Sequence, residues 1–470
     1  MGNKSSLPRN TCACLPVCGY KQKPLEDDDK NADWMNHVAQ HNPNIRLNDL
    51  KMPEAHDAAT SYINPKKPFT SISRTQRLTL KQQLELGIRL LDLRFAPLHN
   101  NLTSDNNFSV QHGPHRGGEF YHILQEIMSF LSEHPNEFII LNMKYEKKSN
   151  ITMNLGQFMT WVNSIHTAFN EISITDEDYH GWFKQGCVTL SELITTNKRI
   201  FVTIHKNFMH EVPQDNKLEF KQFLGKNNIF YKTDVFHDRW HNCDDYSVLF
   251  IKSRKFLNEH QKDNKFMINQ LILTPQAAST PKYAICMKSL RVDQNVKVLL
   301  KNKRLQRHIR DIAPYMNWNF LAMDFVDYEP SRIRFICGLN YNINLEILEA
   351  KLKVNEWPID ITEKLTNLVV NNNSLWVISW EYDLGIKAEF GTEAHLDITY
   401  RLSFGQPAVT KRFRVSEQYE FLMNGVTLLG SGQGFASPAA VARENFKDED
   451  ISENNVQLAM NRPSQINYRG

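Results

Sequence analysis

The chain has 470 residues, of which 41% are hydrophobic and 23% charged, and its formal net charge is +3. This length predicts more than one domain, the composition is typical of a soluble globular protein, and the small charge gives no indication of a nucleic-acid partner. Seven cysteines without regular spacing favour a reducing compartment over a disulfide framework, and no apolar run reaches the ~18 residues of a membrane-spanning helix.

Residues 1–30 are predicted to be a lipid-modifiable tail and linker. Met1-Gly2 followed by Ser6 matches the N-myristoylation pattern, and basic residues precede the first acidic residue, Glu26. Because one acyl chain binds membranes only marginally, nearby cysteines and basic residues are candidates for the second signal. The alternative is a disordered tail that happens to begin Met-Gly. We expect a peripheral, lipid-anchored protein on the cytoplasmic face of an anionic membrane, with lipidation at Gly2, Cys12, Cys14 and Cys18.

From about residue 45 to residue 340, short apolar runs alternate with amphipathic stretches. A helix is expected over residues 78–86, ending at Gly87, and another over residues 119–134, closed by Pro135. A strand-like stretch over residues 45–52 precedes His56. Strand candidates further along are residues 89–95, 108–111, 137–144, 199–205, 266–273 and 319–326. Continuous alternation of strand and helix predicts an α/β fold, a (β/α) barrel.

After about residue 340 the pattern becomes that of antiparallel strands. Residues 396–404 alternate strictly between apolar and polar, and residues 343–354 and 374–382 are also strand-like. We therefore predict a smaller β-rich domain, sandwich-like in form. The predicted organisation is a tail and linker (1–30), a barrel (31–340), a β-rich domain (341–443) and a polar C-terminal tail (444–470).

Polar residues that suit phosphodiester cleavage follow or end several of these strands. His56 and His112 supply two imidazoles, of which one can remove a proton and the other can donate one. Arg94 ends an apolar strand, and its guanidinium could grip a phosphoryl group. Asp92 shares a strand face with Arg94, because side chains two residues apart on a strand point the same way.

Each of these residues also has a structural explanation. Asp57 could cap a helix with His56 as a structural neighbour, and for His56 alone this is the favoured interpretation. His112 before Gly113 could mark a strand-to-turn transition. Asp92 and Arg94 could pair only with each other, or Asp92 could orient Arg94 toward a phosphate.

The order and spacing of several motifs resemble the catalytic X region of phosphatidylinositol-specific phospholipases C, over roughly residues 45–340. This resemblance implies a distorted TIM barrel with its site at the carboxyl ends of the strands. The motifs are His56-Asp57, Leu91-Asp92-Leu93-Arg94, Gln111-His112-Gly113, Phe138-Ile139-Ile140-Leu141-Asn142-Met143-Lys144, Leu271-Ile272-Leu273-Thr274-Pro275 and Met323-Asp324-Phe325.

The resemblance also implies roles for individual residues. His56 would be the general base that deprotonates the inositol 2-hydroxyl, and His112 the general acid that protonates the departing diacylglycerol oxygen. Arg94 would stabilise the phosphoryl charge, with Asp57 coupled to that network. The remaining members would be Asp324, which holds the tautomer of His56, and the substrate-binding residues Asp92, Lys144 and Lys206, the last on a loose alignment.

Arg94 stands where calcium-dependent members of that family carry an acidic residue. The resemblance therefore implies a bacterial-type site that needs no metal and no other cofactor. One departure is Glu54-Ala55, where many members read Gly-Thr before the histidine. We expect this change to alter the loop or raise the basicity of His56.

Three functions remain open at this stage. The favoured one is cleavage of a phosphoinositide membrane lipid to diacylglycerol and an inositol phosphate, at least initially cyclic. The second is cleavage of glycosylphosphatidylinositol or another glycerophosphodiester by the same chemistry. The third is a catalytically inactive lipid-binding scaffold, against which the retention of both histidines and Arg94 argues.

Overall fold

The computed structural model describes most of the chain between residues 30 and 429. The ranges are 25, 30–66, 70, 73–98, 108–146, 154–210, 212–243, 245–260, 265–274, 304–315, 317–327, 330–354, 357–386, 394–403, 406–415 and 420–429. The predicted lipidation sites Gly2, Cys12, Cys14 and Cys18 and the predicted C-terminal tail lie outside these ranges. None of the helices within them has the length and apolarity needed to cross a membrane.

Eight parallel strands form a barrel and follow one another around it in chain order. Neighbouring strands pair through parallel ladders at every position but one, and the first strand pairs with the last, Met52 opposite Phe320. The strands are β1 (Met52–Ala55), β2 (Leu90–Pro97), β5 (Ile139–Tyr145), β6 (Ile200–Ile204), β7 (Ile229–Tyr231), β8 (Phe236–Asp238), β9 (Phe266–Gln270) and β10 (Phe320–Met323). The predicted (β/α) barrel is confirmed.

Helices separate the barrel strands and cover them. Thr79 begins the helix after β1 with a reciprocal capping box to Gln82, and Gly87 ends it with φ 120°, a conformation that favours glycine. The helices up to β10 are α1 (Trp34–His41), α2 (Leu80–Leu86), α3 (Phe120–Glu133), α4 (Leu155–Phe169), α5 (Asp176–Asp178), α6 (Leu190–Thr195), α7 (Lys217–Lys226), α8 (Lys232–Val235), α9 (Tyr246–Glu259) and α10 (Arg304–Ile312).

The barrel is distorted by one open seam. Strands β7 and β8, both fully described, share no ladder, although every other neighbouring pair does. A π-helical turn, Tyr179–Phe183, covers the seam with aromatic side chains. The Tyr179 ring lies 4.5 Å from that of Phe230 on β7, and the Phe183 ring lies 4.3 Å from Phe201 on β6 and 5.6 Å from Phe266 on β9. Side-chain packing therefore replaces backbone hydrogen bonds at this position.

Antiparallel structure flanks and follows the barrel. A hairpin of β3 (Phe108–His112) and β4 (His115–Glu119) pairs with β2. After α11 (Pro330–Gly338), a four-stranded and a three-stranded sheet share a second hydrophobic core, so the predicted sandwich-like fold is also confirmed. Their elements are β11 (Glu346–Val354), β12 (Trp357–Asp360), α12 (Thr362–Thr366), β13 (Val369–Val370), β14 (Ser374–Val377), α13 (Trp380–Leu384), β15 (His395–Arg401), β16 (Val409–Arg414), β17 (Phe421–Met423) and α14 (Gly425–Leu429). The exact domain boundaries stay a prediction.

Two predicted strands are wrong in their extent. Residues 45–52 are not one strand, because a 3₁₀ turn (Leu47–Asp49) buries Leu47 and Leu50, and the strand begins only at Met52. Residues 374–382 split into β14 and α13. The Ser379 side chain accepts a hydrogen bond from the Tyr382 N–H and so begins the helix, as a capping serine does.

A fully buried ion pair joins α1 and β2 to the start of β5. Arg89 donates to Glu137 through Nε (2.9 Å) and a second guanidinium nitrogen (2.5 Å), and both side chains are fully buried. Glu137 also accepts from the backbone N–H of Asn36 in α1, at 2.9 Å. Because both side chains are fully buried, water stabilises neither charge.

Replacing Glu137 by Gln should therefore destabilise the barrel strongly. Arg89 would keep its buried charge and lose the carboxylate, which typically costs about 3–5 kcal/mol of unfolding free energy. Chemical denaturation measures this loss. The matched control is Glu133→Gln, which breaks the exposed Lys81–Glu133 pair (2.6 Å) and should cost no more than about 1 kcal/mol. Equal losses in the two variants would contradict the prediction.

Candidate active site

The barrel brings the sequence-predicted residues together at the carboxyl ends of its strands. His56 and Asp57 directly follow β1, Asp324 directly follows β10, and Arg94 lies within β2. Strand β3 runs antiparallel to β2, with Phe95 opposite Val110, and so returns His112 toward the level of Arg94. The carboxyl ends of parallel barrel strands are where TIM-barrel active sites lie.

His56 is held by Asp324 across the contact between the first and last barrel strands. Its Nδ1 lies 2.8 Å from Asp324 Oδ1, and its Nε2 lies 3.0 Å from an Arg94 guanidinium nitrogen. A carboxylate accepts the proton on Nδ1, which leaves on Nε2 a lone pair that faces Arg94. Burial alone would lower the pKa of His56, but the charges of Asp57 and Asp324 outweigh burial and raise it to about 9.

Asp57 lies between the two histidines and the arginine. One carboxylate oxygen, Oδ2, is 3.3 Å from His56 Nε2 and 3.2 Å from His112 Nε2, and the other contacts Arg94 Nε. Asp57 precedes a 3₁₀ turn (Ala58–Tyr62), but its side chain makes no capping hydrogen bond, and its φ of 46° is left-handed. The helix-capping explanation for Asp57 is therefore wrong, because the carboxylate faces the histidines.

Arg94 is fixed by three carboxylates. Besides Asp57, it contacts Asp92 at 3.4 Å and Glu146 at 3.3 Å. Burial disfavours the charged guanidinium, but Asp57, Asp92 and Glu146 outweigh burial and raise the pKa of Arg94. The explanation that Asp92 and Arg94 pair only with each other is wrong, because Asp57 is the closer partner of Arg94.

His112 has an acceptor at each ring nitrogen. Its Nδ1 lies 2.7 Å from the backbone oxygen of Ser73, which can only accept, and its Nε2 faces Asp57 Oδ2. An imidazole whose two nitrogens both face acceptors is suited to carry two protons. The geometry of His112 therefore suits a proton donor.

The three predicted substrate-binding residues lie in different surroundings. Asp92 is buried and accepts from the Asp57 N–H at 3.4 Å, so it supports Asp57 from behind. Lys144 is opposite Arg94 in the β2–β5 ladder and contacts Glu146 at 3.2 Å. Lys206 begins a 3₁₀ turn after β6 and pairs with Asp234 at 3.3 Å, outside the histidine cluster.

Sequence reasoning missed a buried layer of charges beneath the histidines. Lys232, from α8, contacts Asp238 at 2.5 Å, and Glu54 on β1 is buried near both. Burial raises the pKa of Glu54 well above its usual value, and burial together with Lys232 lowers the pKa of His205 to about 3. Glu54 lies within β1, two residues before His56, and its expected effect on the loop or on the basicity of His56 stays a prediction.

His56, Asp57 and Asp92 offer ligand atoms within 4.8 Å of one another, the spacing of a possible metal site. Arg94 already contacts both of these carboxylates. A cation bound there would meet the fixed positive charge of the guanidinium, so these donors suit Arg94 better than a metal.

The sequence is similar to a family model and to several curated proteins. A family model for the PI-PLC X region, PI-PLC X 1, matches residues 68–245. PI-PLC X domain-containing protein 2 of Homo sapiens is 32% identical over 267 residues, which cover 52% of this chain and 78% of the relative. The chain belongs to the PI-PLC X domain family.

Two bacterial proteins are also similar to parts of the chain. The 1-phosphatidylinositol phosphodiesterase of Listeria monocytogenes is 29% identical over 130 residues, which cover 27% of this chain and 37% of that protein. The solved structure of the phosphatidylinositol-specific phospholipase C from Listeria monocytogenes aligns with a TM-score of 0.42 and 20% identity, over 66% of this chain and 98% of that one.

Replacing Asp324 by Asn should lower the pKa of His56. A pKa raised from 6.5 to about 9 means that folding favours protonated His56, so this stabilisation is full below pH 6.5 and is lost as the pH rises through 9. Without the Asp324 charge, the loss should be complete at lower pH. Nuclear magnetic resonance titration of the His56 ring measures the shift.

The control for this titration is Asp33→Asn, because Asp33 also contacts a histidine nitrogen, that of His134, at 2.8 Å. This variant should leave the His56 titration unchanged. An unchanged His56 titration in Asp324→Asn would contradict the prediction.

Proposed function

We propose that the chain is a phosphodiesterase that cleaves phosphatidylinositol-type lipids without a metal ion. The observation that carries this proposal is the position of Asp57, which contacts His56, His112 and Arg94 together. Membership of the PI-PLC X domain family supports it, as does similarity to the 1-phosphatidylinositol phosphodiesterase of Listeria monocytogenes.

In the proposed reaction, the inositol 2-hydroxyl gives its proton to His56 Nε2 and its oxygen bonds to the adjacent phosphorus. The bond from phosphorus to the diacylglycerol oxygen breaks, and that oxygen takes a proton from His112. The products are diacylglycerol and a cyclic inositol phosphate. Because nucleophile and phosphorus belong to one molecule, little entropy is lost in bringing them together.

Arg94 supplies the positive charge that the developing phosphoryl oxygens require. Its contacts with Asp57, Asp92 and Glu146 fix the guanidinium before substrate binds, and a fixed charge needs no reorganisation during the reaction. Glu146 was not among the residues predicted from the sequence. Its nearest signal is its place two residues after Lys144 at the end of an apolar strand.

The test of this proposal is release of water-soluble inositol phosphate from phosphatidylinositol vesicles in the presence of a chelator. His56→Ala and His112→Ala should each lose at least about 100-fold in rate, because each removes one proton transfer. Arg94→Lys should also lose activity, since lysine keeps the charge but not the planar fork of donors.

The matched control is His180→Ala, which removes an exposed histidine paired with Asp176 at 3.7 Å and should leave the rate unchanged. Equal release from the wild type and both catalytic variants would contradict the assignment of the histidines. Absence of release from the wild type, with vesicle binding intact, would favour the scaffold function. Activity abolished by the chelator would overturn the role of Arg94.

We also propose that the protein is attached to the cytoplasmic face of a membrane through Gly2 and the following cysteines. Three exposed apolar side chains support contact with lipid. They are Trp240, which follows β8, and Val248 and Ile251 on α9. The first residue of α9, Tyr246, is close enough to Asp324 for that charge to help raise the pKa of its hydroxyl. Exposed tryptophan and aliphatic side chains favour the membrane interface.

Replacing Gly2 by Ala should shift the protein expressed in eukaryotic cells from the membrane to the soluble fraction, because the acyl chain has no attachment point. Fractionation followed by mass spectrometry of the N-terminal peptide measures both events. Gly19→Ala, in the same segment, is the control and should not change partitioning. Residual membrane binding of Gly2→Ala should fall further when Trp240 is also replaced by Ala. An unmodified N-terminus in the wild type would exclude this anchor.

A further inference from the structure

An irregular segment, Ser73–Gln76, lies against the residues that carry the proposed chemistry. The backbone oxygen of Ser73 accepts from His112 Nδ1 at 2.7 Å. The backbone oxygen of Thr75 accepts from the Phe325 N–H at 2.7 Å, directly after Asp324. One short segment therefore contacts both the His112 ring and the loop that carries Asp324.

Gln76 joins the two loops that carry His56 and Asp324. Its side-chain Nε2 donates to the backbone oxygens of His56 (3.0 Å) and Met323 (2.9 Å). Its Oε1 accepts from the Val326 N–H at 3.2 Å. Gln76 is fully buried, so these three hydrogen bonds cannot be exchanged for water without opening the fold.

Each of the two loops that Gln76 joins contains one residue with an unfavourable backbone conformation. Asp57, after His56, has φ 46°, and Phe325, after Asp324, has φ 48°. Positive φ is uncommon for residues other than glycine and is an outlier for a bulky side chain such as phenylalanine. Such conformations persist only where surrounding contacts fix them, and they cluster at functional sites.

Two threonine hydroxyls complete the same network. Thr75 Oγ1 donates to the His56 backbone oxygen at 3.1 Å, and Thr60 Oγ1 donates to the Asp57 backbone oxygen at 2.8 Å. Thr60 Oγ1 also accepts from the Gln76 N–H at 3.1 Å. The backbone at His56 and Asp57 is thus held by side chains as well as by its strand ladder.

We propose that Gln76 is a positioning residue, which fixes the Asp324 carboxylate against His56 Nδ1 by joining the ends of β1 and β10. The expected effect on catalysis rests on the proposed function. The positioning of Asp324 against His56 does not depend on it. An amide that bonds one carbonyl on each strand end fixes their separation, and the His56–Asp324 contact of 2.8 Å spans the same gap. Loss of the amide should lengthen that contact. Asp324 would then no longer fix which ring nitrogen of His56 carries the proton.

The test compares the wild type with Gln76→Met, which keeps the length of the side chain and removes its hydrogen bonds. The charged groups that face His56 are Asp57 beside it, Arg94 and Asp92 on β2, Asp324 after β10 and Glu54 on β1, and none of them is altered. The downfield proton resonance of His56 Nδ1–H, hydrogen-bonded to Asp324, should weaken. The His56 titration should move to lower pH, and kcat should fall about 10- to 100-fold with little change in KM.

The matched control is Asn340→Leu. Asn340 is a buried amide that holds the opposite end of β1, with Oδ1 accepting from the Lys51 N–H (2.7 Å) and Nδ2 donating to the Lys51 oxygen (2.8 Å). This variant should lower Tm as Gln76→Met does, and should leave the His56 resonance and titration unchanged. If both variants lose Tm and neither moves the resonance, Gln76 is structural only and the proposal is overturned.

A milder variant covers the case in which Gln76→Met does not fold. Thr75→Val keeps the shape of its side chain and removes the hydroxyl donor to His56, so it should move the resonance and titration in the same direction by less. No movement would overturn the proposal. If the wild type proves inactive on every lipid while Gln76→Met still shifts the His56 resonance, the proposed function fails and the positioning role stands.

Discussion

The pairing of β1 with β10 is the constraint on which the rest of the site depends. It joins Ala55 to Met323, and the next residues of the two strands, His56 and Asp324, meet at 2.8 Å although 268 positions separate them in sequence. A barrel that failed to close here would keep most of its strands and lose the partner of its proposed base. Closure also explains why Asp324 follows the last barrel strand, since only that strand lies beside β1 on the side away from β2.

Electrostatic balance is the second constraint, because the carboxyl ends of the barrel strands bury charges that water would otherwise stabilise. Three carboxylates surround the Arg94 guanidinium: Asp57, Asp92 and Glu146. Beneath them, the Lys232 ammonium lies among the carboxyl groups of Glu54, Asp92 and Asp238. Burial lowers the pKa of Lys232, but Asp238, Asp92 and Glu54 outweigh burial and raise it. This end of the barrel therefore holds both histidines within one network of compensated charges.

Much of the barrel could be predicted because β5 and β6 contain continuous apolar runs, at residues 138–141 and 200–202. Strands β7 and β8 have three residues each, too few for a periodic signal, and they were missed. The residues at strand ends were found because motifs mark them. Gln76 and Lys232 were not found, since one lies in an irregular segment and the other in a four-residue helix, and only the folded chain shows what they contact. Glu54 was noticed as unusual, but its burial inside the barrel follows from strand register, which the sequence left open.

The open seam between β7 and β8 has a consequence for the shape of the barrel. In a closed barrel, strand number and shear fix the cross-section, because every strand is tied to two neighbours. Here the backbone ladder ends at β7 and resumes at β8, so the width of the opening on that side is determined by the aromatic rings of Tyr179, Phe183 and Phe266. The diameter of this side of the barrel is thus a property of side-chain volume, and substitution of a ring by a smaller group would change it without breaking a single strand-to-strand hydrogen bond.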